Sequence, residues 1–197
     1  MAEDTETGRR RHGSRWRRAC WAAAALLLLL PLVAMQFTEE VDWDVADFAL
    51  AGALMVAVGV PYELAARRTG DVAYRAAVGV ALVAAFLLVW VNGAVGLIGS
   101  EDNEANLMYA GVLAVGVIGA GIARFQPRGM ARAMFATALV QSSVAAIALI
   151  AGLGEPYSGP FEIVASNAFF VALFVGSALL FRKAVRGRPD GGDEPSD

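Results

Sequence analysis

Residues 76–100 read AAVGVALVAAFLLVWVNGAVGLIGS, an unbroken stretch without a charge, set between Arg75 and Glu101. As an α-helix such a stretch is about 38 Å long at ~1.5 Å per residue, and the hydrocarbon core of a bilayer is ~30 Å thick. A surface helix of a soluble protein carries charged or polar side chains along one face, and this run offers only Asn92 and, at its end, Ser100. Working outward, five more uncharged runs cover 19–38, 48–62, 105–123, 133–154 and 163–181. Composition agrees: 57% of the 197 residues are hydrophobic and 18% are charged, against ~45–50% and ~25% in an average soluble domain. Too little chain is left between the runs for a sizeable soluble domain. Barrel strands alternate apolar and polar residues, whereas Ala22 to Leu30 is apolar on every face.

The expected fold is therefore all-α, a polytopic bundle of six transmembrane helices over 19–38, 46–66, 76–99, 105–124, 132–153 and 162–182. The second of these reaches full length only if Glu63 is admitted near its end. A basic tail (1–18) and a Gly/Pro/Asp-rich tail (187–197), expected to be disordered, flank the membrane domain (19–186). The N-terminal segment has the basic start of a signal peptide, but its apolar run is too long and no small-x-small cleavage site follows.

Charge supplies direction. All 16 Lys and Arg fall before the first run, after the second, after the fourth or after the sixth. With six spans these places share one side, so the positive-inside rule expects both termini in the cytoplasm. The opposite side carries carboxylates only, among them Glu39, Glu40, Asp42, Asp44, Asp47, Glu101, Asp102, Glu104, Glu155 and Glu162. Arg9, Arg10, Arg11, Arg15, Arg17 and Arg18 act as the orientation signal, and anionic lipid headgroups on the cytoplasmic face are their expected partners. Trp21, Tyr62, Tyr74 and Phe181 near one interface, and Trp43, Phe48, Tyr109, Tyr157 and Phe161 near the other, are expected as belt anchors.

Polar residues inside a membrane are costly and hence candidate functional positions. Glu63, beside Pro61, reads either as a protonatable relay or as an interfacial ion pair with Arg67 one turn on, and its shallow depth favours the pair. Asn92, Gln141, Ser142 and Asn167 (with Ser143 and Ser166) either line a polar pocket open towards the acidic side or hydrogen-bond helices together. Glu40, Asp44 and Asp47 share a helical face and form a weak metal candidate beside the reading as a solvated acidic rim. Glycine at every third position from Gly93 to Gly99 reads as packing or kinking within a helix. Small residues at four-residue spacing (Ala77, Ala81, Ala85; Gly116, Ala120) suit close helix approach.

Several classes are set aside. The single histidine, His12, lies in the tail, which leaves histidine-based catalysis and transmembrane haem ligation without a residue. No phosphate-binding loop, Cys-x-x-Cys or HExxH occurs. No catalytic residue, cofactor or nucleic-acid partner is expected. The lone Cys20 has no partner for an intramolecular disulfide.

The stretches Phe37-Thr-Glu-Glu-Val-Asp-Trp-Asp-Val-Ala-Asp-Phe48, Tyr62-Glu-Leu-Ala-Ala-Arg-Arg68, Val91-Asn-Gly-Ala-Val-Gly-Leu-Ile-Gly-Ser-Glu-Asp102 and Arg128-Gly-Met-Ala-Arg-Ala-Met-Phe135 resemble an uncharacterised family of small bacterial six-helix integral membrane proteins. The resemblance runs from about residue 30 to 185. It implies a bacterial inner-membrane location and a shared topology, with no substrate or site residue to carry over. The expected function is an accessory or structural membrane component, possible as a homo-oligomer or with a membrane-protein partner. The alternatives are a small transporter or channel with a polar path through Asn92 and Gln141, or a membrane-embedded enzyme using carboxylates.

Overall fold

The structure, a computed structural model, describes residues 21–38 and 42–187 apart from Ala24. Among these residues every regular element is helical. An apolar helix α1 covers Trp21–Ala34, about 21 Å at ~1.5 Å per residue. Five helices are long and apolar enough to cross a membrane: α2 (Val45–Arg68), α3 (Val72–Val95), α4 (Met108–Ile122, entered through the 3-10 turn Glu104–Leu107), α5 (Pro127–Ile150) and α6 (Pro160–Arg186). The tails, including Arg9 to Arg18 and Cys20, and residues 39–41, including Glu40, lie outside the described residues.

The chain divides into two compact units, Met1–Gly59 and Val60–Asp197. In the first, α1 runs antiparallel to the start of α2 and rests on two of its glycines. A Cβ added at Gly59 would stand 2.7 Å from Trp21 Cη2, and one at Gly52 would stand 3.8 Å from Leu28 Cδ2. The reversed order of these pairs sets the antiparallel direction. The helix α2 opens on a reciprocal cap. Asp44 Oδ1 accepts from the N–H groups of Ala46 (2.7 Å) and Asp47 (2.9 Å), while Asp47 Oδ2 accepts from the Asp44 N–H (3.0 Å). Two orphan donors of the first turn are satisfied in this way, and a carboxylate sits where the helix dipole favours it.

In the second unit α6 packs against both α3 and α5, and α4 packs against α5. Among the buried positions are Met130, Met134, Thr137, Gln141, Val144 and Ala148 on α5, flanked by Pro127, Ala131, Ala133 and Ala138, and Ile163, Asn167, Phe170, Phe174, Ser177, Phe181 and Ala184 on α6, flanked by Ala178. Both sets advance by alternating steps of four and three, the seven-residue repeat that keeps a seam facing a neighbouring helix. On α3 the inward stripe is Ala77, Ala84 and Leu88 with Ala81 partly buried. Ala84 rather than Ala85 continues it, because a helix turns every ~3.6 residues, not every four. The Ser177 hydroxyl reaches across to donate to the Ala77 carbonyl at 2.8 Å.

Helices α4 and α5 touch through glycine. A Cβ on Gly119 would lie 2.8 Å from Ala133 Cβ, and one on Gly116 would lie 3.4 Å from Thr137 Oγ1. The link between them turns through Arg124 (φ 47°) and Phe125 (φ 60°), a left-handed pair that L-residues adopt at a cost of about 1–2 kcal/mol each. Tyr74 holds this turn by donating to the Phe125 carbonyl at 2.6 Å, and its ring meets Phe181 edge-on at 5.2 Å. Tyr74, Phe181 and Tyr109 are thus buried core residues and not belt anchors.

Helix boundaries depart from the charge-free runs for physical reasons. The third helix begins at Val72, capped by Asp71 Oδ1, which accepts from Ala73 and Tyr74 N–H, and it ends at Val95. Gly96 (φ 70°) and Gly99 (φ 72°) are turn glycines beyond its end, so the glycine triplet does not kink a helix. A Cβ at Gly96 would run into the Ser100 carbonyl oxygen. The loop that follows folds inward, burying Leu97 and Ile98, and an inward-folded loop can be as charge-free as a span.

The glycine contact is testable by a matched pair. Gly119→Ala must displace α4 from α5 and is expected to destabilise by about 1–3 kcal/mol. Gly121 meets nothing within 4 Å of its Cβ position, so Gly121→Ala is expected to be neutral or to stabilise by up to about 1 kcal/mol. Thermal unfolding in mild detergent reads both. Equal effects from the two would remove the close-contact role of Gly119.

Candidate functional site

Most side-chain hydroxyls on these helices return to their own backbone. Thr137 donates to Ala133, Ser142 to Ala138, Ser143 to Leu139 and Ser166 to Glu162. Ser142 and Ser143 point off the α5 seam and are exposed, so neither stands with Gln141. Glu63 accepts from Arg67 Nη2 at 2.6 Å one turn along α2, with the Arg67 side chain 60% exposed. An ion pair this open contributes ~0–1 kcal/mol. Asp44 and Asp47 are occupied as the cap of α2. Among the described residues no group of three His, Cys, Asp or Glu side chains converges as a metal site.

Two buried polar assemblies remain, both towards the acidic end of the second unit, where the α3–α4 and α5–α6 loops lie. The first joins three helices through one atom. Asn167 Oδ1 on α6 accepts from the Tyr109 hydroxyl of α4 at 3.1 Å and from Gln141 Nε2 of α5 at 2.8 Å. Asn167 Nδ2 donates to the Ile163 carbonyl at 2.8 Å, which fixes the amide's orientation. All three side chains are essentially inaccessible, at 0–1% exposure. Gln141 and Asn167 occupy successive seam positions of their helices, so the polar contact lies inside the seven-residue repeat. Gln141 Oε1 is buried without a hydrogen-bond partner.

The second assembly closes the loops. Asn106, buried in the 3-10 turn, accepts at Oδ1 from the N–H groups of Leu97 (3.1 Å) and Ile98 (3.0 Å). Its Nδ2 donates to the Ser100 carbonyl at 2.7 Å. Asn103 Nδ2 donates to the Leu153 carbonyl at 2.8 Å, and Ser158 Oγ accepts from the Gly99 N–H at 3.1 Å, tying the α3–α4 loop to the α5–α6 loop. Asn92 enters here: its Nδ2 donates to the Asn106 carbonyl at 3.4 Å, leaving its buried Oδ1 without a partner.

The sequence candidates thus separate. Gln141 and Asn167 come together, and Tyr109, read from sequence as an interface anchor, completes their cluster. Asn92 joins the loop assembly. Asn106, the best-satisfied amide among these, escapes a sequence reading that runs the fourth helix from residue 105. The dense Asn-x-x-Asn of Asn103 to Asn106 beside three glycines was the available signal. No family model, curated protein or solved structure matches this chain.

Asn167 is the acceptor for two donors and Gln141 contributes one, so their removal should differ. Asn167→Leu strands the Tyr109 hydroxyl and the Gln141 amide and is expected to destabilise by about 1–3 kcal/mol. Gln141→Leu removes an unpartnered oxygen with the donor and should cost under about 1 kcal/mol. Unfolding titrations in detergent–SDS mixtures rank them, and the reverse order would deny Asn167 its role as hub. Asn106→Ala leaves two buried N–H groups open and should cost about 2–4 kcal/mol on the same scale, measurable also as faster amide exchange at Leu97 and Ile98.

Proposed function

We propose that this chain is a multi-pass protein of the bacterial inner membrane with six spans and both termini in the cytoplasm, acting as an accessory or structural component. The observation that carries the functional part is how the buried polar groups of the second unit are used. Tyr109 and Gln141 bond to Asn167, Ser177 bonds to the α3 backbone, Asn106 closes its own loop, and Asn103 and Ser158 bond loop to loop. Such groups fasten helices and loops to one another. Outward faces support the membrane setting, with Leu139, Val117 and Ile150 at 69%, 73% and 88% exposure, as expected where lipid tails are the solvent. The six-span count rests on the uncharged run 19–38, within which α1 lies, and the orientation follows the segregation of all 16 cations. The family resemblance supports the bacterial location.

A transport path through Asn92 and Gln141 is the second reading. It is favoured by one observation: each has a buried amide oxygen without a partner, the kind of group a permeating cation or water would meet. Against it, the two amides donate to different assemblies.

Orientation is checked with single cysteines in a Cys20→Ser background. In intact cells a membrane-impermeant thiol reagent is expected to label Tyr157→Cys and to spare Gly70→Cys until the membrane is broken; the opposite pattern would reverse the topology. Purification in mild detergent is expected to bring down a protein partner or a stable homo-oligomer. A monomer that catalyses uptake in liposomes, and loses it in Gln141→Leu, would replace the accessory reading with the transport one.

A further inference from the structure

A cavity of about 380 Å³ opens at the basic end of the second unit, between the start of α5 and the end of α6, far along both helices from the polar cluster. It is lined by four arginines, Arg128 and Arg132 from α5 and Arg182 and Arg186 from α6, together with Ala131, Phe135 and Val185. The volume falls at the lower end of the ~300–1,000 Å³ range of small-ligand pockets. None of the four arginines forms an ion pair or hydrogen bond with another described residue.

Positive-inside sorting accounts for arginine at this end, but not for four of them around one hollow. Each helix presents its pair one turn apart, a like-charge spacing that opposes helix formation. On α6 the pair lies at the C-terminal end, where the dipole favours cations. On α5 it lies in the first turns, where the dipole disfavours them, and no side chain caps that end. The arrangement is self-repelling when empty, and an anion relieves every part of it at once. Guanidinium forks match phosphate oxygens in pairs, and the adjoining Phe135 and Val185 suit the glycerol and upper acyl carbons of a lipid.

We propose that this cavity is a phosphate site, filled by the headgroup of an anionic phospholipid, with one phosphate reached by arginines of both helices. The proposal rests on the membrane reading above, since the basic end must lie at a bilayer surface for a headgroup to reach it. Because α5 and α6 are joined by the Gln141–Asn167 contact nearer their other ends, a bound headgroup pins the pair at the opposite end too.

The full-length protein, delipidated in detergent, is titrated with diphosphatidylglycerol, phosphatidylglycerol, phosphatidylcholine and inorganic pyrophosphate, and occupancy is read by native mass spectrometry. Expected is retention of the two anionic lipids with weak phosphatidylcholine binding. R128Q/R132Q and R182Q/R186Q should each weaken binding by about tenfold or more, and R67Q/R68Q by less than about twofold. R128K/R132K, which keeps charge but loses the fork, should fall between. All four arginines are exposed and neutralising a pair relieves its like-charge repulsion, so unfolding temperatures without lipid should not fall. Equal effects from R67Q/R68Q would reduce the site to surface charge and overturn the proposal. Pyrophosphate matching the lipids would make it a soluble-phosphate site. Lipid binding that appears only after neutralising Asp190, Asp193, Glu194 and Asp197 would assign the cavity to the chain's own tail. Binding in detergent does not depend on insertion direction, so failure here leaves the topology reading standing, and reversed cysteine labelling leaves this one standing.

Discussion

One amide oxygen, Asn167 Oδ1, receives donors from two other helices, and in a bilayer, the setting proposed for these helices, contacts of that kind take over a task that water performs elsewhere. Lipid tails are as apolar as Leu or Phe, so burying such side chains between helices gains little, and packing shape and polar contacts decide which faces meet. The seven-residue repeat on α5 and α6 supplies shape. A polar pair placed within such a repeat supplies register, since sliding either helix by one step would strand Gln141 and Asn167 in an apolar surround. Tyr109 extends the same fastening to α4.

The remaining packing is arranged around that register. Glycine at 116 and 119 lets α4 approach α5 closely, while the Tyr109 hydroxyl ties α4 to α6. Ala77 exposes a backbone carbonyl on α3 to Ser177, which sits ten residues after Asn167 on the same face of α6. At the acidic end, Asn106 closes the turn after α3 and Asn103 binds it to the α5–α6 loop. At the basic end, Tyr74 holds the left-handed turn between α4 and α5. Each end of the four-helix body is therefore fixed by a side chain that satisfies the backbone of a loop, which matters most where water is scarce.

Helical class was legible because charge-free runs of this length have few other uses, and the five longest helices fall close to them. The edges were less so. Arg75, Arg128 and Arg132 stand within helices whose first turns reach the polar boundary, and long side chains can carry their charge outward from there. Leu97 and Ile98 lengthen an apolar run without being helical, because their N–H groups are taken by Asn106. The candidate polar residues were legible as residues but not as partners. Asn92 and Gln141 resemble each other in sequence, yet one donates to a loop carbonyl and the other to a neighbouring helix. Tyr109 and Tyr74 match interface anchors in position along the chain, and only the direction of the side chain separates an anchor from a core residue.

By itself the sequence determined where apolar helices lie and that every cation is segregated from a rim of carboxylates, since length without charge and the placement of charge are properties of the linear chain. Only the tertiary structure decided which face of each helix turns inward. A helix apolar all round carries no amphipathic signal to say so, and the deciding features are a few glycines and amides whose meaning depends on what stands opposite them. The same holds for the arginines at the basic end: they are sorted in sequence, but gathered around one cavity only by the pairing of α5 with α6.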